Sequence, residues 1–246
     1  MTNRQSVVLV TGGARRLGAA IVRGLHAAGH DIALHCGHSR EAADALAAEL
    51  ESQRPGSVHV LQAELTEFDR LPELIARTVG RFDRLDGLVN NASAFFPTPV
   101  GETTPVQWEA LFGANVRAPF FLAQAAAPHL RASRGAIVNL VDIHGERPLR
   151  DHALYGMSKA ALAYMTRALA LELAPEIRVN AIAPGAILWP DTGKDDAAKR
   201  AMLERTPLRR TGTPEEVAEA VRWLLRDATY TTGQVLRLDG GRMLEG

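Results

Sequence analysis

The sequence predicts an α/β protein: one doubly wound sheet of seven mainly parallel strands with helices on both faces. Short β-branched or apolar segments alternate along the chain with longer Ala- and Leu-rich segments of helical period. Helices of this length between strands are typical of right-handed βαβ crossovers. The first strand segment, Val7–Val10, is apolar throughout, as a strand buried on both faces requires.

The elements follow in a regular order. The predicted strands are Val7–Val10, Asp31–Cys36, Ser57–Gln62, Gly87–Val89, Gly135–Val141, Arg178–Ile182 and Gln234–Leu238. The predicted helices are Arg16–Ala28, Glu41–Ser52, Phe68–Val79, Pro105–Leu130, Leu154–Leu173 and Pro214–Arg226. Only Trp189–Lys199 lacks a clear pattern, and either a mobile lid or a plain surface loop fits it.

Composition excludes several classes of protein. The 246 residues include 28 Lys+Arg and 28 Asp+Glu, so a general polyanion binder is disfavoured and no nucleic-acid partner is expected. At 46% hydrophobic and 23% charged, the chain is typical of a globular protein, and we expect a single domain spanning residues 1–246. No export signal or membrane span is expected, and the single Cys36 favours a reducing cytoplasm.

The turn after the first strand predicts a dinucleotide site. Thr11-Gly12-Gly13-Ala14-Arg15-Arg16-Leu17-Gly18 follows a strand, opens a helix and begins a βαβ unit. Glycines there let the backbone approach a pyrophosphate, and the helix N-terminus offers free N–H groups. A tight turn without a ligand is the weaker alternative.

The end of the second strand favours NADP over NAD. NAD binders of this architecture usually carry a carboxylate there, but residues 33–40 contain none. Arg15, His38, Ser39 and Arg40 supply donors suited to a phosphate, although each could be a solvated loop residue. Cys36 with His35 and His38 makes a poor zinc site, because no further ligand cluster accompanies them, and no metal is expected.

Tyr155 and Lys159 form a candidate catalytic pair. They lie four residues apart at the start of a predicted helix and therefore project from one face. A neighbouring ammonium stabilises a phenolate, so we expect Lys159 to lower the pKa of Tyr155.

With these motifs, essentially the whole chain resembles the short-chain dehydrogenase/reductase family. The matching segments are Asn90-Asn91-Ala92-Ser93, Asn115, Tyr155 with Lys159, Pro184-Gly185 and Asp239-Gly240-Gly241. The resemblance implies a Rossmann-like fold, a homotetramer, Tyr155 as general acid, Lys159 on the nicotinamide ribose and Asn115 helping to hold a water. It also implies cofactor contacts at Gly12, Arg15, Arg16, Leu17, Gly18, His35, His38, Ser39, Arg40, Glu64, Leu65, Asn91, Ala92, Ser93, Tyr155, Lys159, Pro184 and Gly185.

Two departures from the family pattern point to one branch. Arg16 replaces the middle glycine of the first turn, and Asp142 stands where the usual catalytic serine belongs. Alone these changes could mean a decayed active site. Together they resemble the pteridine reductase branch, as does Asn91-Ala92-Ser93-Ala94-Phe95-Phe96-Pro97-Thr98-Pro99.

The pteridine reductase resemblance implies a pterin-shaped pocket. Phe95 would stack on the pterin, Ser93 would contact its polar edge, and Asp142 with Tyr155 would relay the proton. Arg16, Leu188 and Trp189 would complete the substrate contacts. Phe95 could instead be ordinary core packing, Asp142 a buried structural carboxylate, and Trp189 a contact of the lid with the body. His144 and His152 flank this segment without an evident partner in the sequence.

The expected function is NADPH-dependent reduction of a dihydropterin, with an oxidised pterin or dihydrofolate as further substrates. The nearest alternative is a carbonyl reductase of the same family acting on a ketone, a sugar or a 3-oxoacyl thioester. A non-catalytic NADP sensor is the alternative from another class, disfavoured by the intact Asn115, Tyr155 and Lys159.

Overall fold

The computed structural model describes residues 5–189 and 196–244. Its strands are β1 (Val7–Val10), β2 (Asp31–Cys36), β3 (Val58–Gln62), β4 (Gly87–Asn90), β5 (Ala136–Leu140), β6 (Arg178–Pro184) and β7 (Val235–Leu238). Its α-helices are α1 (Arg16–Ala27), α2 (Arg40–Gln53), α3 (Leu71–Phe82), α4 (Pro105–Phe112), α5 (Ala118–Ser133), α6 (Ala153–Leu173), α7 (Asp196–Glu204) and α8 (Pro214–Arg226).

The seven strands form one sheet in the order β3-β2-β1-β4-β5-β6-β7, and every pair is parallel. Both faces are buried. In β1, Leu9 belongs to the core beneath α3, α5 and α6, whereas Val8 and Val10 belong to the core beneath α1, α2 and α8. The predicted fold class, a doubly wound sheet with helices on both faces, is confirmed.

Two predicted helices are interrupted in the structure. The helix predicted at Phe68–Val79 starts as a 3₁₀ turn, Phe68–Arg70, and becomes α-helical only at Leu71, next to Pro72. The helix predicted at Pro105–Leu130 contains a π-helical turn, Gly113–Arg117. Proline accounts for the second break, because Pro119 cannot donate the α-helical hydrogen bond to the carbonyl of residue 115.

The segment Trp189–Lys199 falls partly outside the described residues, and the lid and loop alternatives both stay open. Its last residues begin α7, a helix that the sequence pattern did not predict. Among the described residues, no helix is both long and apolar enough to cross a membrane.

Candidate active site

The candidate site lies at the carboxyl ends of β1 and β4, where the order of the strands reverses. In open α/β sheets this crevice is where ligands bind. A cavity of about 220 Å³ opens there. Its lining residues are Arg16, Leu17, Asn91, Ser93, Leu140, Val141, Asp142, Tyr155, Lys159, Pro184, Gly185, Ile187 and Leu188. Leu140, Val141 and Ile187 are the lining residues that the sequence did not suggest.

The first turn is closed so tightly that its glycines are required. A Cβ at Gly18 would lie 2.1 Å from the carbonyl oxygen of Gly12 and 2.7 Å from Nδ2 of Asn91. Gly12 adopts a φ of +61°, a left-handed conformation that glycine takes without strain. The Asn91 amide donates to the carbonyls of Thr11 and Gly12 at 2.9 and 3.0 Å, and the backbone N–H of Ala92 donates to the Thr11 hydroxyl.

The start of α1 fits the phosphates of a dinucleotide. Arg15 occupies the N-cap position, and its side chain makes no capping hydrogen bond to the first N–H groups of the helix. Uncapped N–H groups and the positive end of the helix dipole form an anion site. The exposed Arg15 lies at this terminus, so the predicted phosphate contacts fit the geometry here.

His35 does not face the phosphate site, which corrects its predicted role. It is buried under the turn, where its Nδ1 accepts from the N–H of Gly12 and its Nε2 donates to the carbonyl of Ala63. Burial lowers the pKa of His35 and keeps the ring neutral, as these two bonds require. His35 supports the turn from below. The side chain of Leu65 likewise packs into the hydrophobic core and offers the cofactor no contact of its own.

The loop after β2, which is predicted to hold the cofactor phosphate, carries the exposed side chains of His38 and Arg40 and lies beside the carboxylate of Glu64. His38 is 92% exposed at its side chain, with Nε2 3.5 Å from Oε1 of Glu64. Arg40 pairs with Asp44 at 2.8 Å on the first turn of α2, and Ser39 is the N-cap of that helix without a capping bond from its side chain. The fold thus brings the Glu64 carboxylate beside a strand end that has no acid of its own.

Arg16 is held in a strained conformation. Its φ is +51°, in the left-handed region that costs a non-glycine residue about 1 kcal/mol. Its guanidinium donates to the carbonyl of Trp189 at 3.2 Å. The substitution of the family's glycine by arginine therefore strains the backbone while it places a cation between the first turn and Trp189.

Asp142 and Tyr155 are in direct contact. The hydroxyl of Tyr155 donates to Oδ2 of Asp142 at 2.7 Å, and the backbone N–H of His144 donates to Oδ1 at 2.8 Å. Asp142 directly follows Val141 at the end of β5 and is the N-cap of a 3₁₀ turn, Ile143–Gly145. These bonds fix both carboxylate oxygens and aim one of them at the phenol.

The pKa shifts of the pair differ from the sequence expectation. Burial, followed by the Asp142 charge and hydrogen bond, raises the pKa of Tyr155 well above its ordinary value. Burial lowers the pKa of Lys159 to about 8, and its Nζ donates to the Leu140 carbonyl at 2.8 Å rather than to the phenol. The expectation that Lys159 lowers the pKa of Tyr155 is therefore wrong for the protein alone. Tyr155 therefore keeps its proton at neutral pH.

Asn115 joins three segments of the site. Its amide donates to the carbonyl of Ala94 and to the hydroxyl of Ser158, each at 3.0 Å. Its side-chain oxygen accepts from the Ala94 N–H and the Ser93 hydroxyl at 2.8 and 3.1 Å. The two donors and two acceptor sites of the amide are thus all used within the protein. The Asn115 side chain thus positions Ser93, and the expectation that Asn115 helps to hold a water stays a prediction.

Phe95 and His152 stack beside the tyrosine. Their ring centroids are 4.7 Å apart with planes 20° from parallel, and Phe95 meets Tyr155 edge to face, also at 4.7 Å. Phe95 stays 56% exposed, so ordinary core packing does not describe it. Sequence reasoning named His152 but missed its contact with Phe95, because nothing in the chain pairs it with a residue 57 positions earlier.

The opposite wall is formed by the segment after β6. A Cβ at Gly185 would lie 2.7 Å from Cα of Asp239, so glycine lets this wall pass close to the C-terminal segment. Leu188 is exposed at the mouth of the cavity. The Trp189 ring lies 5.9 Å from Nζ of Lys199 on α7.

Comparisons with known proteins cover nearly the whole chain. A family model described as enoyl-(acyl carrier protein) reductase matches residues 12–242. The chain is 39% identical to a Streptomyces violaceoruber protein named as ketoacyl reductase 2 of the granaticin polyketide synthase, covering 97% of this chain and 96% of that one. It is 36% identical to pteridine reductase 1 of Leishmania tarentolae, over 97% and 96% of the two chains.

A third relative is named for a different activity. The 3-oxoacyl-acyl-carrier-protein reductase of Thermotoga maritima is 35% identical over 97% of this chain and 98% of its own. The chain has similar sequence identity to enzymes that are named for different activities. These relatives therefore establish its family but do not identify its substrate. The chain belongs to the short-chain dehydrogenase/reductase family, whose members are oxidoreductases that use NAD(P)(H).

Proposed function

We propose that the protein is an NADPH-dependent pteridine reductase that converts a dihydropterin to its tetrahydro form. The observation that carries the proposal is the 2.7 Å hydrogen bond from Tyr155 to Asp142, a carboxylate where the family usually has serine. A serine hydroxyl can donate to a carbonyl oxygen, whereas an ionised carboxylate can only accept. A site that replaces this donor by an acceptor suits a substrate whose edge donates hydrogen bonds, as the amino and N–H groups of a pterin do.

The residues present fit a dinucleotide with a further phosphate. The glycine turn, the uncapped start of α1 and the exposed Arg15 suit the pyrophosphate. Arg40 supplies a cation and His38 a ring nitrogen at the end of β2, and residues 33–40 contain no carboxylate. Two carboxylates oppose a phosphate at this end, Glu64 beside His38 and Asp44 paired with Arg40, so the preference for NADPH over NADH is expected to be moderate.

Bound NADPH would supply a hydride for the carbon of the substrate C=N bond, and the nitrogen must then receive a proton. Tyr155 is the acid placed for that step, because its raised pKa keeps the proton on the phenol until a base of comparable strength develops. Asp142 holds that hydroxyl in one orientation. The buried Lys159, cationic below a pKa of about 8, would bind the nicotinamide ribose.

Phe95 supports a flat substrate. Planar heteroaromatic rings bind by stacking on one face and hydrogen bonding at the edge. Phe95 offers an exposed aromatic ring beside Tyr155, and Ser93 places a hydroxyl on the cavity wall. A ketone or an acyl chain needs no such ring.

A carbonyl reductase is the second candidate. It is favoured by two of the relatives, which are named as a ketoacyl reductase and a 3-oxoacyl-acyl-carrier-protein reductase. Asp142 counts against it, because a carbonyl oxygen beside an ionised carboxylate would be repelled rather than polarised. A non-catalytic NADP sensor is a third candidate and would bind cofactor without turnover.

The test is NADPH consumption with dihydrobiopterin, dihydrofolate and a panel of ketones, in the wild type and in Asp142→Ser. Reduction of dihydrobiopterin that falls at least tenfold in Asp142→Ser supports the proposal. Turnover of ketones alone, unaffected by the substitution, supports the carbonyl reductase. Cofactor binding without any turnover supports the sensor.

The expected homotetramer is part of the proposal. Four half-exposed or exposed aromatic residues, Trp108, Phe120, Phe121 and Tyr164, line a groove of about 550 Å³ on α4, α5 and α6. Apolar surface of this kind suits contact with a second copy of the chain. Analytical ultracentrifugation measures the assembly directly, and a monomer at micromolar concentration would contradict it.

A further inference from the structure

The orientation of Phe95 depends on few contacts. More than half of its surface is exposed, so close packing on all sides does not fix the ring. Two aromatic neighbours restrict it: the imidazole of His152 lies nearly parallel to one of its faces, and Tyr155 meets it at 87°. Of these two, only His152 has no part in the proposed proton transfer.

His152 is itself firmly placed. It is the N-cap residue of α6, with its N–H donating to the carbonyl of Leu149 and its carbonyl accepting from Gly156. Its Nδ1 lies 2.8 Å from the carbonyl of Arg150. A carbonyl can only accept, so Nδ1 carries the hydrogen, and this bond fixes both the tautomer and the plane of the ring.

The same residue is tied to the segment that carries Phe95. Thr98, three residues after Phe95, forms a parallel β-bridge with His152, and the Thr98 N–H donates to the carbonyl of Asp151. The His152 ring and the Phe95 backbone are therefore parts of one local unit. Tyr155 lies one helical turn beyond His152, so this unit also sets the distance between Phe95 and the phenol.

We propose that His152 is a positioning residue that holds the Phe95 ring as a platform for a flat heteroaromatic substrate. The proposal rests on the proposed function for the identity of that substrate. It assigns His152 to substrate binding and not to chemistry, because its ring stacks on Phe95 whereas the phenol hydroxyl bonds to Asp142. Loss of the imidazole removes one of the two aromatic contacts that restrict Phe95, so the ring gains freedom that substrate binding must then remove at a cost in affinity.

The experiment compares His152→Ala, which removes the ring, with His152→Phe, which keeps a ring that can stack. Stacked aromatic pairs contribute enough to change an affinity by about two- to tenfold. We expect His152→Ala to raise KM for dihydrobiopterin by about that factor. The kcat and the KM for NADPH of His152→Ala should stay within about twofold of the wild-type values. His152→Phe should bring the KM for dihydrobiopterin most of the way back to the wild-type value. His129→Ala, a half-buried histidine on α5 away from the site, is the matched control.

An unchanged KM for dihydrobiopterin in His152→Ala would overturn the proposal, and so would a fall in kcat or in NADPH affinity as large as the loss of pterin binding. If His152→Ala does not fold, His152→Gln takes its place. We expect it too to raise the KM for dihydrobiopterin and to leave kcat unchanged.

A second measurement separates this inference from the proposed function. In crystals of the NADP⁺ complex, we expect one orientation of the Phe95 ring in the wild type and more than one in His152→Ala. If the wild type reduces no pterin, the proposed function fails while the positioning role is still decided by these crystals. A single unchanged Phe95 orientation in the variant would reject that role.

Discussion

The candidate cofactor cleft has two ends: we call the end at β5 and α6, which holds the proposed catalytic residues, the catalytic end, and the carboxyl ends of β1 and β2, where the cofactor phosphates are proposed to lie, the phosphate end. At the catalytic end, Tyr155 and Lys159 are buried, and their pKa values are strongly shifted. At the phosphate end, His38 and Arg40 are exposed and face carboxylates across the surface. Water screens charges at the surface, whereas burial strengthens electrostatic interactions. We therefore expect single substitutions to reduce activity most at the catalytic end.

The largest expected effect comes from Tyr155→Phe, which removes the proposed proton donor and leaves the ring. General acids typically contribute about 10²- to 10⁴-fold, so kcat for dihydropterin reduction should fall by that factor. The Kd for NADPH, measured by fluorescence titration, should change little. Tyr230→Phe, at a fully exposed tyrosine outside the cavity and the proposed subunit contact, is the control and should keep full activity. A Tyr155→Phe enzyme within tenfold of wild type would remove Tyr155 from the mechanism.

Arg16→Gly tests whether the strained arginine at the boundary of the two ends serves binding. Glycine relieves the left-handed conformation, so the free energy of unfolding should hold or rise by up to about 1 kcal/mol. Loss of a charge-assisted hydrogen bond should nevertheless weaken binding of NADPH or pterin by about tenfold or more. Thermal unfolding and steady-state kinetics measure the two effects. A variant that is less stable yet binds normally would make Arg16 a structural residue.

The lowered pKa of Lys159 predicts that the kcat/KM for NADPH depends on pH. Its folded pKa of about 8 lies below the ordinary value of 10.5, so the ammonium is present below pH 8 and lost above it. The kcat/KM for NADPH, which reports groups of the free enzyme, should therefore fall above about pH 8, approaching tenfold per pH unit. Lys159→Arg should move the decline to higher pH. A wild-type profile flat to pH 9.5 would contradict the assigned pKa.

The smallest expected effect is at the phosphate end, in Glu64→Gln. This change removes a carboxylate beside His38, where a cofactor phosphate is proposed to lie. An exposed charge contributes at most about 1 kcal/mol, so NADPH should bind about two- to fivefold more tightly, with little change for NADH. Asp69→Asn, outside the cleft, is the control. Tighter NADH binding in place of NADPH would indicate that Glu64 does not face a phosphate.

The sequence predicted the fold better than the electrostatics of the site. The bounds of β1, β2 and α8 agree with the structure because a buried strand and an amphipathic helix have clear apolar periods. Helix α7 was missed because Met202 is its one buried residue, too few to give such a period. The interruption at Gly113–Arg117 was missed because one helix was assumed across Pro119, although a proline there is a sequence signal for such a break.

Pairings that depend on tertiary structure were harder to predict. The four-residue spacing placed Tyr155 and Lys159 on one face, but the depth of burial that separates their pKa values is set by strands far away in the chain. His35 was expected among the cofactor contacts because residues 34–39 resemble the phosphate loop of the pteridine reductase branch, yet its strand register turns the ring beneath Gly12. The contact of His152 with Phe95 joins two loops that only the sheet brings together.

The most direct test of the central claim is the ratio of kcat/KM for dihydrobiopterin to kcat/KM for a small ketone, compared between the wild type and Asp142→Ser. A pteridine reductase whose selectivity depends on this carboxylate predicts a wild-type ratio well above one that falls at least tenfold in the variant. A ratio below one in the wild type, or one that Asp142→Ser leaves unchanged, would contradict it.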